Sequence, residues 1–258
     1  MKSYDISNIN ELNVSGMEIA LKGNTKSITI TIDANQTAKI LFLNTNIDNL
    51  VFNVNEGANV IINFIRFEST SSNQVINAQK DCFISIKEIT SSKLNLDSIY
   101  NLNGQGATIK ANSLIVAKDY KSSLVQTVYH NSKNTHSNIE NYGISLDNSE
   151  ITFNTTGKIY KGMSGSNCKQ LARGIICGDN SAVKSLPILL IDEYDVHANH
   201  GAAIGKMSDE ELFYLMSRGL SSKEAFKLIL SGIINPFLDD ILDDSLQDDI
   251  SSSIYSLI

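Results

Sequence analysis

From Ser27 onward apolar and polar residues alternate in short runs, at 27–32, 38–43, 49–54 and 58–65. A period of two residues is that of a strand with one face buried. The runs are broken by Asp33-Ala34-Asn35, by the stretch 44–48 and by Asn55-Glu56-Gly57, residue types that tolerate left-handed turns. Further runs follow at 82–89, 107–117, 123–130 and 151–153, and no helical period interrupts them before Pro187. Starts recur about every ten residues, as in an all-β array. A sandwich or a barrel fits that spacing. A parallel β-helix accounts for more of it, because the strands are short and regular and the Asn-rich corners can stack coil on coil.

After Gly205 the period changes to that of helices. Ser208 with Glu211 forms a capping box, Leu212, Phe213, Leu215 and Met216 form the expected buried stripe, and Arg218-Gly219 ends the helix. Ser221 with Glu224 opens a second helix that turns Ala225, Leu228 and Ile229 inward and is expected to end at Gly232. Asn235-Pro236 then predicts a third, with Leu238, Leu242, Leu246, Ile250 and Ile254 every four residues beside Asp239, Asp240, Asp243, Asp244, Asp248 and Asp249. Its apolar stripe serves either the chain's own core or a partner. The expected division is therefore a β region at 1–205 and a helical region at 206–258.

Only 2 prolines and no tryptophan occur in 258 residues, which suits uninterrupted ladders. A formal charge of -7 argues against nucleic acid and anionic membranes, since both call for clustered cations. The first ten residues are polar and no stretch reaches the length of a spanning helix, so a cytoplasmic protein is expected. Cys82, Cys168 and Cys177 are odd in number and include no C-x-x-C pair. Reduced thiols are expected, without a disulfide framework or a permanent zinc site. No Walker-type loop, H-E-x-x-H or Ser/His/Asp set is present, so this chain is not expected to be an enzyme or to bind a nucleotide.

Three segments carry a resemblance: 195–205 (Asp-Val-His-Ala-Asn-His-Gly-Ala-Ala-Ile-Gly), 211–219 (Glu-Leu-Phe-Tyr-Leu-Met-Ser-Arg-Gly) and Glu224-Ala225. In order and spacing they resemble the "DV.C.HGA..G", "LFYL.SRG" and "EA" signatures of the SufB/SufD family. The resemblance implies a right-handed parallel β-helix with a small C-terminal helical region. It also implies a scaffold role in iron–sulfur cluster assembly, a transient cluster as cargo, a SufC-like ABC-type ATPase as partner, and pairing with a SufB- or SufD-like chain or with itself. The ATPase-docking residues it implies are Leu212, Phe213, Tyr214, Arg218, Gly219, Phe237 and Leu238. Ala198 stands at the motif's cysteine position, and counting back without gaps puts the cysteine of the SufB branch at Ala172. Gly201 stands where that branch has an acidic residue. The chain thus looks closer to SufD, in a short form that begins almost directly with strands.

Iron takes thiolate or imidazole ligands, and a site that must release its cargo should be under-ligated by any single chain. His200 is the candidate metal ligand, with Cys168 and Cys177 as candidate thiols. Cys168 lies in the polar stretch 164–169, read as loop-like, where Lys169 would favour the thiolate; the bland alternative is an idle surface thiol. Cys177 after Ile175-Ile176, and Cys82 before Phe83-Ile84, read as small core fillers. His197 differs in parity from His200 and would face the other way on one strand. His130 and His136 are expected in turns or ladders. Two rival functions stand beside the scaffold: a structural subunit that ligates nothing, and a β-helix enzyme acting on polysaccharide.

Overall fold

The computed structural model describes residues 1–239 and 241–258; Asp240 of the expected third helix lies outside the described residues. The strands, in chain order, are β1 (Lys2–Asp5), β2 (Glu11–Asn13), β3 (Met17–Lys22), β4 (Thr25–Ile32), β5 (Thr37–Leu43) and β6 (Ile47–Val54). They continue as β7 (Asn59–Arg66), β8 (Thr70–Ala78), β9 (Phe83–Thr90), β10 (Leu94–Leu102), β11 (Thr108–Lys118) and β12 (Lys121–His130). The last are β13 (His136–Leu146), β14 (Glu150–Ile159), β15 (Asn167–Cys177), β16 (Ala182–Ile191) and β17 (His197–Lys206). Odd strands stack into one sheet and even strands into a second, every pairing parallel and each strand bonded to the next but one. That is the topology of a parallel β-helix, and the about ten-residue rhythm of the sequence is half a coil.

Alternate residues point into the lumen and stack in register. Ile40, Ile62, Ile86, Ala111 and Ile139 form one inward ladder on the odd sheet, and Phe52, Ile76, Tyr100 and Val128 face them from the even sheet. All are buried, and each such apolar side chain contributes about 1.5–3 kcal/mol. One corner repeats a left-handed residue coil after coil: Asn35, Gly57, Asp81, Gly106, Asn134 and Gly165. Asx and Gly alternate there for a steric reason. The side-chain oxygens of Asn35, Asp81 and Asn134 occupy the places where a Cβ on Gly57, Gly106 and Gly165 would sit, so the coil above each Asx must carry glycine.

The lumen is not wholly apolar. Arg66 Nε meets Glu88 Oε1 at 2.7 Å in full burial, and Arg66 Nη1 donates to Thr45 O. Burial pushes the Glu88 carboxyl up, and the Arg66 guanidinium opposes that shift. Further along, Ser113 Oγ donates to Asn141 Oδ1 at 2.6 Å, and Asn141 Nδ2 donates to Gln126 Oε1 at 2.8 Å. His130 is fully inside, with Nδ1 at 2.8 Å from Thr135 Oγ1 and Nε2 at 3.0 Å from Ser137 Oγ. Burial is the main cause that lowers its pKa to about 4, so the imidazole sits there neutral.

The helices are α1 (Asp209–Ser217), α2 (Ser222–Leu238), a 3-10 turn (Asp244–Leu246) and α3 (Gln247–Leu257). Ser208 accepts from Glu211 N, which is half of the expected box, and the full box forms at Ser221 and Glu224. The expected stop at Gly232 and start at Asn235-Pro236 do not occur: α2 runs through both residues. Proline in a helix interior costs about 3 kcal/mol, and burial of Ile234, Phe237 and Leu238 against the odd sheet offsets it. The apolar stripe expected on one long third helix is buried on the chain itself. Ile241, Ile250 and Ile254 share a cluster with Leu41, Ile65, Ile89, Leu114, Val116, Ile144 and Leu146 on the outward face of the odd sheet. Polar ties fix this packing: Lys118 Nζ donates to Leu257 O at 2.9 Å, and Leu242 N donates to Asn63 Oδ1 at 2.9 Å. Among the described residues no helix covers the outward face of the even sheet, which carries Asn53, Asn77 and Asn101 in a hydrogen-bonded ladder.

Two substitutions test this packing. Gly106→Ala meets both a positive φ and the Asp81 carboxylate and should cost about 2 kcal/mol or more in urea unfolding. Gly162→Ala has positive φ but open space and should cost only about 1 kcal/mol; equal losses would contradict the stacked corner. For His130, as pH falls below about 6.5 the unfolded chain takes up a proton that the native ring refuses until about 4, so stability is lost across that window. Between neutral pH and about pH 4.5 this group should remove about 2.5 kcal/mol. In His130→Asn that component of the acid loss should vanish, and an unchanged acid slope would contradict a neutral buried ring.

Candidate functional site

The site is built by the last two strands. Among the described residues no strand pairs with the outer edge of β16 or of β17, so the lumen ends in an open rung. In register, Cys168 lies beside Ala198, Gln170 beside His200, Ala172 beside Ala202 and Gly174 beside Ile204. Parallel neighbours in register share a face. A Cβ on Gly174 would touch the side chains of Val183 and Ile204, so this is the inward face. His200 therefore stands at the mouth of the lumen, exposed on the last strand of its sheet among the described residues. His197 lies on the opposite face of β17, as its parity requires.

Cys168 differs from its expected setting. The polar stretch before it is a corner, and Cys168 itself is on β15, fully buried, its thiol hydrogen-bonded to the Ser137 hydroxyl. Burial pushes the thiol up. Lys169 does not lower it: strand alternation turns that side chain to the outer face, where its Nζ lies 3.6 Å from Glu140 Oε1. Glycine at 157 makes room for the sulfur, since a Cβ there would overlap Cys168 Sγ. Cys168 and Ala172 flank Gln170 on the inward face, so the thiol shares a wall with His200 without any shift of register.

Cys177 is elsewhere. It ends β15 on the outward side, packs with the helices, and lines a cleft with Asp179, Lys206, Met207 and Leu212. Burial pushes its thiol up to about 12. Cys82 is a core filler as expected, fully inside the lumen, and burial pushes it up to about 11. His130 reaches Cys168 only through Ser137, and His136 is exposed at the start of β13. Among the described residues no group of three His, Cys, Asp or Glu is placed to hold a metal ion. His200 and Cys168 share the inward wall of β15 and β17 and are of the two residue types, imidazole and thiol, whose chemistry suits iron.

The helical region divides the expected docking residues. Phe213 is 74% exposed and Tyr214 56%, with Met216 and Leu228 also exposed nearby. The buried stripe expected on α1 is absent: none of its residues is buried, and Leu212 and Leu215 are half-buried. Arg218 caps α1 and lays its guanidinium 5.2 Å from the Tyr214 ring centroid, while Gly219 takes φ +99. Phe237 and Leu238 are corrected: both are buried against the odd sheet, Phe237 edge-on to Tyr142 at 5.1 Å. They hold the tail in place and offer nothing outward.

One feature of the open rung went unread in the sequence. On β16 the outward residues Leu186, Ile188 and Leu190 are 54%, 47% and 47% exposed, beside Asn154, Thr156 and Lys158 on β14. The signal was the unbroken apolar run from Leu186 to Ile191, which lacks the alternation of the strands before it. Apolar residues on both faces of a strand ask for cover on both faces.

The comparisons with known proteins agree with this architecture. The model for the SufBD core domain of the SUF system of FeS cluster assembly matches residues 17–233. The iron–sulfur cluster assembly protein SufD of Bacillus subtilis is 33% identical over 141 residues, 54% of this chain and 32% of that protein. SufB of the same organism is 30% identical over 137 residues, 53% of this chain and 30% of that protein. A SufBD family protein of Pyrococcus horikoshii is 39% identical over 93 residues, 35% of this chain and 20% of that protein. The matched stretch spans about a third of the two Bacillus proteins. None of the helices among the described residues is long and apolar enough to cross a membrane. By a domain match that covers most of its length, the chain belongs to the SufBD family of iron–sulfur cluster assembly proteins.

Proposed function

We propose that this chain is a non-catalytic scaffold subunit of the cytoplasm on which an iron–sulfur cluster is assembled as cargo, at a site closed by a second chain. The observation that carries the reading is the open rung, where an inward His200 stands beside an edge strand apolar on both faces. The unpaired strand edges favour pairing with another sheet, and the outward Leu186, Ile188 and Leu190 supply apolar area for it. The occupant we favour is a SufB- or SufD-like chain, either a relative or a second copy. In such a pair His200 contributes one ligand, Cys168 is the reserve thiol on the same wall, and Cys177 is too remote to join them. Holding too few donors alone suits a scaffold that must give its cluster away.

A SufC-like ABC-type ATPase is the proposed second partner, docking on the exposed surface of α1 and the start of α2. Phe213 and Tyr214 are the anchors, because aromatic side chains left in water at this degree of exposure are those that interfaces select. Arg218 and Gly219 shape the end of α1 beside them.

Two measurements test these roles on the complex prepared without oxygen. His200→Ala should lower the iron and sulfide recovered by about tenfold while the chain stays folded. Full recovery would leave a structural subunit with no ligand. Phe213→Glu with Tyr214→Glu should weaken copurification with the ATPase by at least about tenfold while the chain stays folded. Unchanged copurification would refute docking on α1.

A further inference from the structure

Gln170 is the residue of the open rung that neither the family match nor the reading above puts to use. It is 2% exposed. Its Nε2 donates to Ile188 O on β16 at 3.2 Å, across the lumen, and its Oε1 is buried with no hydrogen-bond partner. The amide cannot be turned round to relieve this, because a backbone carbonyl only accepts, so the NH2 end must face Ile188. A buried amide oxygen left unpaired is costly and calls for a donor. Its inward neighbours are few. Ile139 lies on the coil below and Ala172 along the strand, while Gly157 and Leu189 stand opposite. None of these side chains offers a donor. The Cys168 thiol is already engaged with Ser137. His200 is the inward neighbour in register on the coil above, at the about 4.8 Å spacing of adjacent strands, and a neutral imidazole carries one ring N–H.

We infer that Gln170 is the positioning residue of His200: its Oε1 accepts the ring N–H, selects one tautomer, and leaves the other ring nitrogen with its lone pair directed at the open rung. A histidine that ligates a metal ordinarily donates its other nitrogen in this way, and the partner fixes both tautomer and ring plane. The inference deepens the ligand reading of His200 and rests on it. It also explains why a glutamine occupies an inward position in a wall that is otherwise small or apolar at this level. The amide spans the lumen, tying β15 to β16 at one end and to the mouth histidine at the other.

The test uses the full chain with nitrogen-15 in its histidines, at a pH where the rings are neutral, and identifies the His200 signals by their loss in His200→Ala. The wild type should show one protonated and one bare ring nitrogen, widely separated in shift. Gln170→Met keeps the volume and removes the acceptor, and should draw the two signals toward a tautomeric average. Gln170→Glu restores an acceptor and should restore the separation. A Gln170→Met spectrum identical to the wild type at His200 would overturn the inference. Cobalt(II) then separates this from the ligand reading. Binding of Co2+ to the assembled protein, followed by its absorption bands, should weaken about tenfold in Gln170→Met and more in His200→Ala. Binding weakened by His200→Ala alone overturns the positioning role and keeps the ligand. Binding indifferent to His200→Ala overturns the ligand reading, and the inference falls with it.

Discussion

A parallel β-helix satisfies the backbone of each strand with the coil before and the coil after it, so what remains unsatisfied gathers at its ends. Nearly everything about this chain follows from that arrangement. Inward ladders of Ile and Phe hold the coils together, the alternating Asx and Gly corner lets them stack, and two sets of buried polar groups pair within the lumen, at Arg66–Glu88 and around Asn141. Beyond β16 and β17 the same logic leaves two strand edges, an apolar outward stripe and a histidine facing into an open lumen. The end of the ladder is thus where the fold leaves its unpaired strand edges and its exposed apolar stripe.

The helical region plays two parts through two surfaces. From Leu230 to Ile254 it covers the outward face of the odd sheet and belongs to the fold. Upstream, α1 touches little and keeps Phe213 and Tyr214 in solvent. Deleting the whole tail would strip cover from Leu41, Ile65, Ile89 and their neighbours, so the two parts separate only by surface substitution. The acidic run, whose stripe could have served the core or a partner, is here a packed element that leaves Asp239, Asp244, Asp248 and Asp249 exposed. Its stripe found cover on the chain itself, through the long reach between residue 41 and residue 254 that no local pattern reveals.

Much of the fold is legible from alternation alone, because one face of each strand is buried and the other is wet. The first strands escaped notice since β1 and β2 are short and largely exposed. Gly232 and Pro236 misled because local helix breaking was outweighed by burial of Ile234 and Phe237. Cys168 misled because corner residues run directly into the strand, and a shift of one position separates an exposed thiol from one sealed behind Gly157. At the site, His200 was legible through its motif and Gln170 was not. A lone glutamine in an alternating run reads as surface, and only the register across thirty residues puts it beneath a histidine.

The central claim is that the open rung is half of a shared site, and Ile188→Asp tests it most directly. A charge on the outward apolar stripe leaves the inward face and the fold untouched while opposing any chain seated there. Mass and iron content would be measured together on the anaerobic complex. The account predicts that the variant sediments with one scaffold chain in place of two and loses most of its iron and sulfide. A single scaffold chain that retains the full cluster would contradict it, because the ligands would then all lie within this chain and the histidine at the mouth would need no partner.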